Sequence, residues 1–125
     1  MNSYYTGLPT QDLSLYQGDD YSGVVLVLKA DGSDADLTGY SARAQIREDV
    51  ADAASEVIAE IATTIQDNTV LLAIAKEVTA LLCGRYVWDL ELTSETGGVT
   101  TIAKGNVIVG QEVTRPAAMR AGAWR

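Results

Sequence analysis

Polar and apolar side chains alternate along most of this chain with the two-residue period of half-buried β-strands. Residues 12–16 are the first such stretch, with Leu13 and Leu15 alternating with Asp12, Ser14 and Tyr16. Gly18, Asp19 and Asp20 break it, and residues 21–29, rich in Val and Leu, predict a second strand. Asp31-Gly32 is a turn signal, the stretch to Asp36 reads as loop, and Leu37-Thr38-Gly39 leads into a third strand. There Tyr40, Ala42, Ala44 and Ile46 point one way and Ser41, Arg43, Gln45 and Arg47 the other. The small Ala side chains predict close packing against a facing sheet.

Residues 48–64 fit two patterns. Val50, Ala54, Val57, Ile58 and Ile61 stand at helical spacing, yet residues 57–64 are β-branched enough for a strand. The reading adopted is an irregular or briefly helical loop to Ser55, followed by a fourth strand. Asp67-Asn68 makes a turn, and Val70, Leu72 and Ile74 alternate on a fifth strand. Residues 76–82 contain good helix formers and predict one or two helical turns, stopped by Gly84 in a left-handed conformation. Residues 85–93 form a sixth strand with Tyr86, Trp88, Leu90 and Leu92 inward and Val87, Asp89, Glu91 and Thr93 outward. Residues 95–98 make a hairpin loop, and residues 99–109 form the last strand, with Gly105 expected as a bulge or a close contact.

About seven short strands separated by turn signals predict an all-β fold, an immunoglobulin-like antiparallel β-sandwich with one short helical turn and extended terminal arms. No strand–helix alternation supports a parallel α/β sheet. The expected organisation is an N-terminal arm over residues 1–11, the sandwich over 12–114 and a basic C-terminal arm over 115–125.

A length of 125 residues suits one such core. Phe is absent, so Val, Leu, Ile, Tyr and Trp must fill that core. No apolar run approaches the roughly 20 residues that span a bilayer, and residues 1–5 have no basic residue and no apolar stretch behind them, so neither a membrane partner nor a secretory signal is expected. The net charge of −8 argues against nucleic acid, whose phosphates call for Lys and Arg. Arg115, Arg120 and Arg125 nevertheless fall in the last eleven residues with no acid among them. They form either a solvated tail or an arm that docks on an acidic neighbour, such as a second copy of this chain. Trp124, between Arg120 and Arg125, is a candidate docking residue, as are Tyr4 and Tyr5 in the N-terminal arm, because aromatics bury much area at little entropic cost. Cys83, the single cysteine, cannot form an intramolecular disulfide; after Leu81-Leu82 it is expected to be buried and inert.

Chemistry is scarce. Without histidine there is no Ser–His or Cys–His nucleophile pair, and the commonest general base and metal ligand is missing. No GxSxG elbow, Walker loop or GxGxxG fingerprint occurs. Asp89 and Glu91, two apart on one strand face, admit a glycosidase-like pair, against an outward solvated face. Asp19-Asp20 and Asp31/Asp34/Asp36 admit calcium, against ordinary turn chemistry. Trp88 admits a sugar platform, against a core position among Tyr86, Leu90 and Leu92. No enzyme activity, cofactor, metal or small-molecule substrate is expected.

Three segments carry a family resemblance. They are Gln17-Gly18-Asp19 followed by Asp36-Leu37-Thr38-Gly39-Tyr40 and Gln45-Ile46-Arg47; then Gly84-Arg85-Tyr86-Val87-Trp88-Asp89-Leu90-Glu91-Leu92; then Glu112-Val113-Thr114-Arg115. Over residues 13–115 the chain resembles immunoglobulin-like structural proteins of tailed bacteriophages and is similar to the N-terminal module of phage upper-baseplate proteins. The length of residues 48–55 and Cys83, where a proline or small residue is more usual, depart from that pattern. The resemblance implies a virion structural protein, assembled in the host cytoplasm, that joins or stabilises tail, baseplate or fibre components. Its partners would be other virion proteins and copies of itself. A capsid decoration (cement) protein and a carbohydrate- or receptor-binding module are the alternatives. The resemblance supplies no catalytic residue.

Overall fold

The computed structural model describes residues 10–48 and 57–111. Seven strands and one helical turn follow one another as β1 (Leu13–Tyr16), β2 (Tyr21–Leu26), β3 (Ser41–Glu48), β4 (Val57–Gln66), β5 (Thr69–Ile74), α1 (Lys76–Thr79), β6 (Gly84–Thr93) and β7 (Val99–Gly110). The expected loop or helix over residues 49–55 lies outside the described residues, but the fourth strand predicted after it is present. The helix is a single turn, within the one or two turns predicted over residues 76–82.

Hydrogen bonding orders the strands β1-β7-β6-β3-β4-β5-β2. The run divides in the middle of β4. Its first half pairs with β3, through Ala59, Glu60 and Ile61, and its second half, Ala62 to Gln66, pairs with β5. One continuous strand therefore passes from a five-stranded layer, β1-β7-β6-β3-β4, to a three-stranded layer, β4-β5-β2. β2 lies beside β5, and β3, β6 and β7 lie side by side, which are the B–E and C–F–G pairings of an immunoglobulin-like sandwich.

Inward side chains of both layers form one core. Val25, Val70, Leu72 and Ile74 from the smaller layer meet Ala44, Ile46, Trp88, Leu90, Leu92 and Val107 from the larger. Each fully buried aliphatic side chain contributes about 1.5–3 kcal/mol of transfer free energy, and that supply replaces the missing phenylalanines.

The sandwich is not purely antiparallel. β1 runs parallel to β7, from Leu13 opposite Val107 to Tyr16 opposite Gly110. The antiparallel expectation holds for strands joined by short turns, but β1 and β7 are the first and last strands, so no hairpin dictates their relative direction. Thr10 and Gln11, assigned to the N-terminal arm from the sequence, already join this layer. Thr10 bridges Lys104 in parallel, and the Gln11 N–H donates to the Lys104 carbonyl at 2.8 Å.

Gly105 is a close contact. A Cβ there would meet the carbonyl oxygen of Gln11 and lie 2.7 Å from its carbon, so only glycine lets the incoming chain pass. The bulge sits nearby instead, where the β6–β7 register shifts between Leu90 and Glu91. Ile102 and Ala103 are thereby both buried although adjacent, an arrangement that strict alternation forbids.

The β5–β6 connection also departs from expectation. Cys83 is exposed rather than buried, and Leu81 beside it is 83% exposed. The apolar run misled because only Leu82 turns inward. The Cys83 N–H donates at 2.9 Å to the hydroxyl of Tyr86, three residues on, a tyrosine-corner arrangement at the start of β6 that holds this backbone at the surface. Gly84 does adopt the left-handed conformation, with φ of 95°, but it opens β6 rather than ending α1.

Candidate functional site

Tyr4, Tyr5, Arg115, Arg120, Trp124 and Arg125 all lie outside the described residues. Among the described residues, the surfaces able to engage a partner belong to the sandwich, and its two outer faces differ in kind.

The outer face of the five-stranded layer is charged. Alternation on β3, β4, β6 and β7 brings Arg43, Arg47, Glu60, Arg85, Asp89, Glu91 and Lys104 to one side, with Arg43 opposite Glu91 and Asp89 opposite Lys104 in the ladder. Arg43 and Glu60 form an ion pair at 3.1 Å, with side chains 67% and 50% exposed. Gln45 Nε2 donates to the same carboxylate at 2.6 Å, and Arg47 donates to Gln45 Oε1 at 3.1 Å. The Arg43 hydrogen bond, then that of Gln45, holds the Glu60 carboxyl below its ordinary value. Exposure on both sides keeps the stabilisation from this network small.

A shallow cleft of about 400 Å³ opens on this face between Thr10, Gln45, Arg47, Asp89, Lys104 and Asn106. Asp89 is half-buried in it, and burial pushes its carboxyl above the ordinary carboxylate range. The neighbouring Glu91 adds to that push, while Arg47 opposes it. The Asp89/Glu91 pair thus faces outward, as the alternation predicts, without being fully solvated. Trp88 belongs to the core. It is 3% exposed, and its indole Nε1 donates to the Gln11 carbonyl at 2.7 Å, so it offers no open platform for a sugar.

A second concavity of about 420 Å³ lies at one end of the sandwich, beside Asp34, Asp36, Thr38, Ile65 and Asp67. Asp36 there and Asp31 in the preceding loop serve the turns. Asp31 Oδ1 accepts from the N–H and hydroxyl of Ser33, and Asp36 Oδ1 accepts from those of Thr38, which lowers both carboxyl pKa values. Asp20 Oδ1 accepts from the Lys76 N–H at 2.8 Å and so caps α1 from another loop. No group of three potential metal ligands gathers among the described residues, and no helix among them is long and apolar enough to cross a membrane.

The outer face of the three-stranded layer has the opposite character, and sequence reasoning missed it. Its outward positions are Ser22, Val24 and Leu26 on β2, Thr69, Leu71 and Ala73 on β5, and Ala62, Thr64 and Gln66 on β4. None carries a charge. Val24 is 57% exposed and Leu26 53%. Three cross-strand rows, Val24–Leu71–Thr64 at the centre, make this a continuous neutral patch. The available signal was that each of these strands has uncharged residues at its polar-phase positions, unlike β3 and β6.

A scan against protein-family models finds no match for this chain. A search of curated proteins finds none either. Among solved structures, murine CRIg is similar over 81% of this chain and 92% of its own, at 11% identity and a TM-score of 0.41. A similarity at that level carries no argument, and the immunoglobulin-like assignment rests on strand order and pairing.

Proposed function

We propose that this protein is a non-enzymatic assembly module, a structural protein of a tailed-bacteriophage particle that joins or stabilises tail, baseplate or fibre components by protein–protein contact. The observation that carries the docking role is the uncharged outer face of β2, β5 and β4, with Val24 and Leu26 more than half exposed on a chain of net charge −8. An uncharged face that exposes two aliphatic side chains gives another protein a surface to cover without desolvating a charge. The virion setting comes from the sequence resemblance of residues 13–115. The acidic body keeps free copies soluble before assembly. Tyr4, Tyr5, Arg115, Arg120, Trp124 and Arg125 are proposed as further attachment points, each weak alone and effective when many are joined in one particle.

The test is recovery of the protein in purified particles, with its copy number and position read by quantitative mass spectrometry and image reconstruction. Tens of copies on the tail or baseplate are expected. Hundreds on the capsid would replace this reading with that of a decoration protein, and absence from the particle would end it.

A further inference from the structure

We propose that residues 1–9 of this chain add an antiparallel strand to the open edge of β2. β2 stands last in the strand order, so among the described residues β5 is its only neighbouring strand. Its sequence, Tyr21-Ser22-Gly23-Val24-Val25-Leu26, holds no charge and no proline. Charges and prolines are what keep a bare edge from pairing with other chains, so this edge lacks the usual protection of an uncovered strand.

The hydrogen bonds show which backbone groups face the open side. Neighbouring residues of a strand turn their N–H and carbonyl groups to opposite sides. The Val27 N–H donates to the Asn68 carbonyl, on the β5 side. Val24, three residues earlier, points the other way, and its carbonyl accepts from Gln11 Nε2 at 3.5 Å. The N-terminal segment is thereby within one side chain of the edge, with Ser22 and Val24 turned towards it.

Pro9 directs the segment to β2 and away from β7. The Gln11 N–H donates to the Lys104 carbonyl, and the next donor towards β7 would be two residues earlier, at Pro9, which has no N–H. The parallel ladder ends there. The antiparallel pairs β7–β6, β6–β3, β3–β4, β4–β5 and β5–β2 make β2 run opposite to β7, while β1 runs with β7. A segment that enters β1 without reversing therefore runs antiparallel to β2. Nine extended residues reach about 30 Å, more than the length of the six-residue β2. Tyr4, Tyr5 and Thr6 are strand formers, and residues 1–9 carry no charged side chain, so the added strand widens the uncharged outer face. Tyr4 and Tyr5, being successive, fall on opposite sides of it.

The experiment is amide hydrogen exchange of the full chain, read residue by residue by NMR. The Val24 amide should exchange about a hundred-fold or more below its unfolded-chain rate. Deleting residues 1–8 should speed Val24 exchange about ten-fold or more relative to Val25, which faces β5, with circular dichroism confirming the fold. Protection at Val24 should not change on dilution, because a contact within one chain is independent of concentration. Fast exchange at Val24 in the full chain overturns the proposal, whether or not the deletion variant folds. Unchanged protection of Val24 in the folded deletion variant overturns it as well. Protection that fades on dilution would assign the strand to a second copy and overturn it too. Each outcome is read on the isolated chain and leaves the virion setting to its own test.

Discussion

The indole of Trp88, in the middle of β6, donates its N–H to the backbone carbonyl of Gln11 at 2.7 Å, across 77 residues of chain. This bond fixes where the N-terminal segment joins the sandwich. The Gln11 N–H donates on one side to the Lys104 carbonyl, its carbonyl accepts from the indole N–H, and Gly105 leaves room for both. Asp12 Oδ1 continues the attachment by accepting from the Asn106 N–H at 2.9 Å.

Replacing Trp88 with Phe keeps most of the apolar volume and removes the donor. The part-buried Gln11 carbonyl then loses its partner, at a cost of about 1–3 kcal/mol. Urea unfolding should show that loss. Hydrogen exchange at the Gln11 amide should quicken more than exchange at core amides such as that of Leu72. Unchanged protection at Gln11 would show that the indole does not hold the segment.

Thr79 is the buried polar side chain of the described core, at 0% exposure. Its hydroxyl accepts from the Gly18 N–H at 3.1 Å and donates to the Asp19 carbonyl at 2.8 Å, tying the end of α1 to the β1–β2 turn. Gln17 Nε2 adds a bond to the Leu82 carbonyl at 2.8 Å. Thr79→Val leaves two backbone groups of the turn unsatisfied and should destabilise by about 2 kcal/mol, whereas Thr79→Ser should retain most of the stability. Equal urea midpoints for the two variants would contradict this account.

Asp89 makes stability depend on pH in a direction opposite to most carboxylates. Its folded-state pKa is raised, so the folded protein holds the proton more firmly than the unfolded chain does. That contribution is fully present below the ordinary carboxylate pKa and is lost as pH rises through the raised value. Asp89→Asn should therefore be more stable than the wild type near neutral pH, and the gap should close in acid below about pH 4. Denaturant melts at both pH values check it, and a gap that does not change with pH would remove ionisation as its cause.

Alternation placed most of the strands and said which side faces in; over β4 a helical spacing competed with it, and at Ile102 and Ala103 a bulge breaks it. Leu13 and Leu15, Val70 to Ile74 and Trp88 to Leu92 are buried in that phase because the two-residue period of a strand leaves no other way to hide them. The turns at Asp31-Gly32 and Asp67-Asn68 were legible for the same local reason: side-chain and backbone preferences at turns act within a few residues. What the period could not supply was anything set by distant segments. The parallel direction of β1, the passage of β4 between layers, the exposure of Cys83 and the contact that demands glycine at Gly105 depend on partners far along the chain. The neutral patch around Val24 belongs to the same class. Its nine residues come from three strands, and only hydrogen-bonded register sets them side by side.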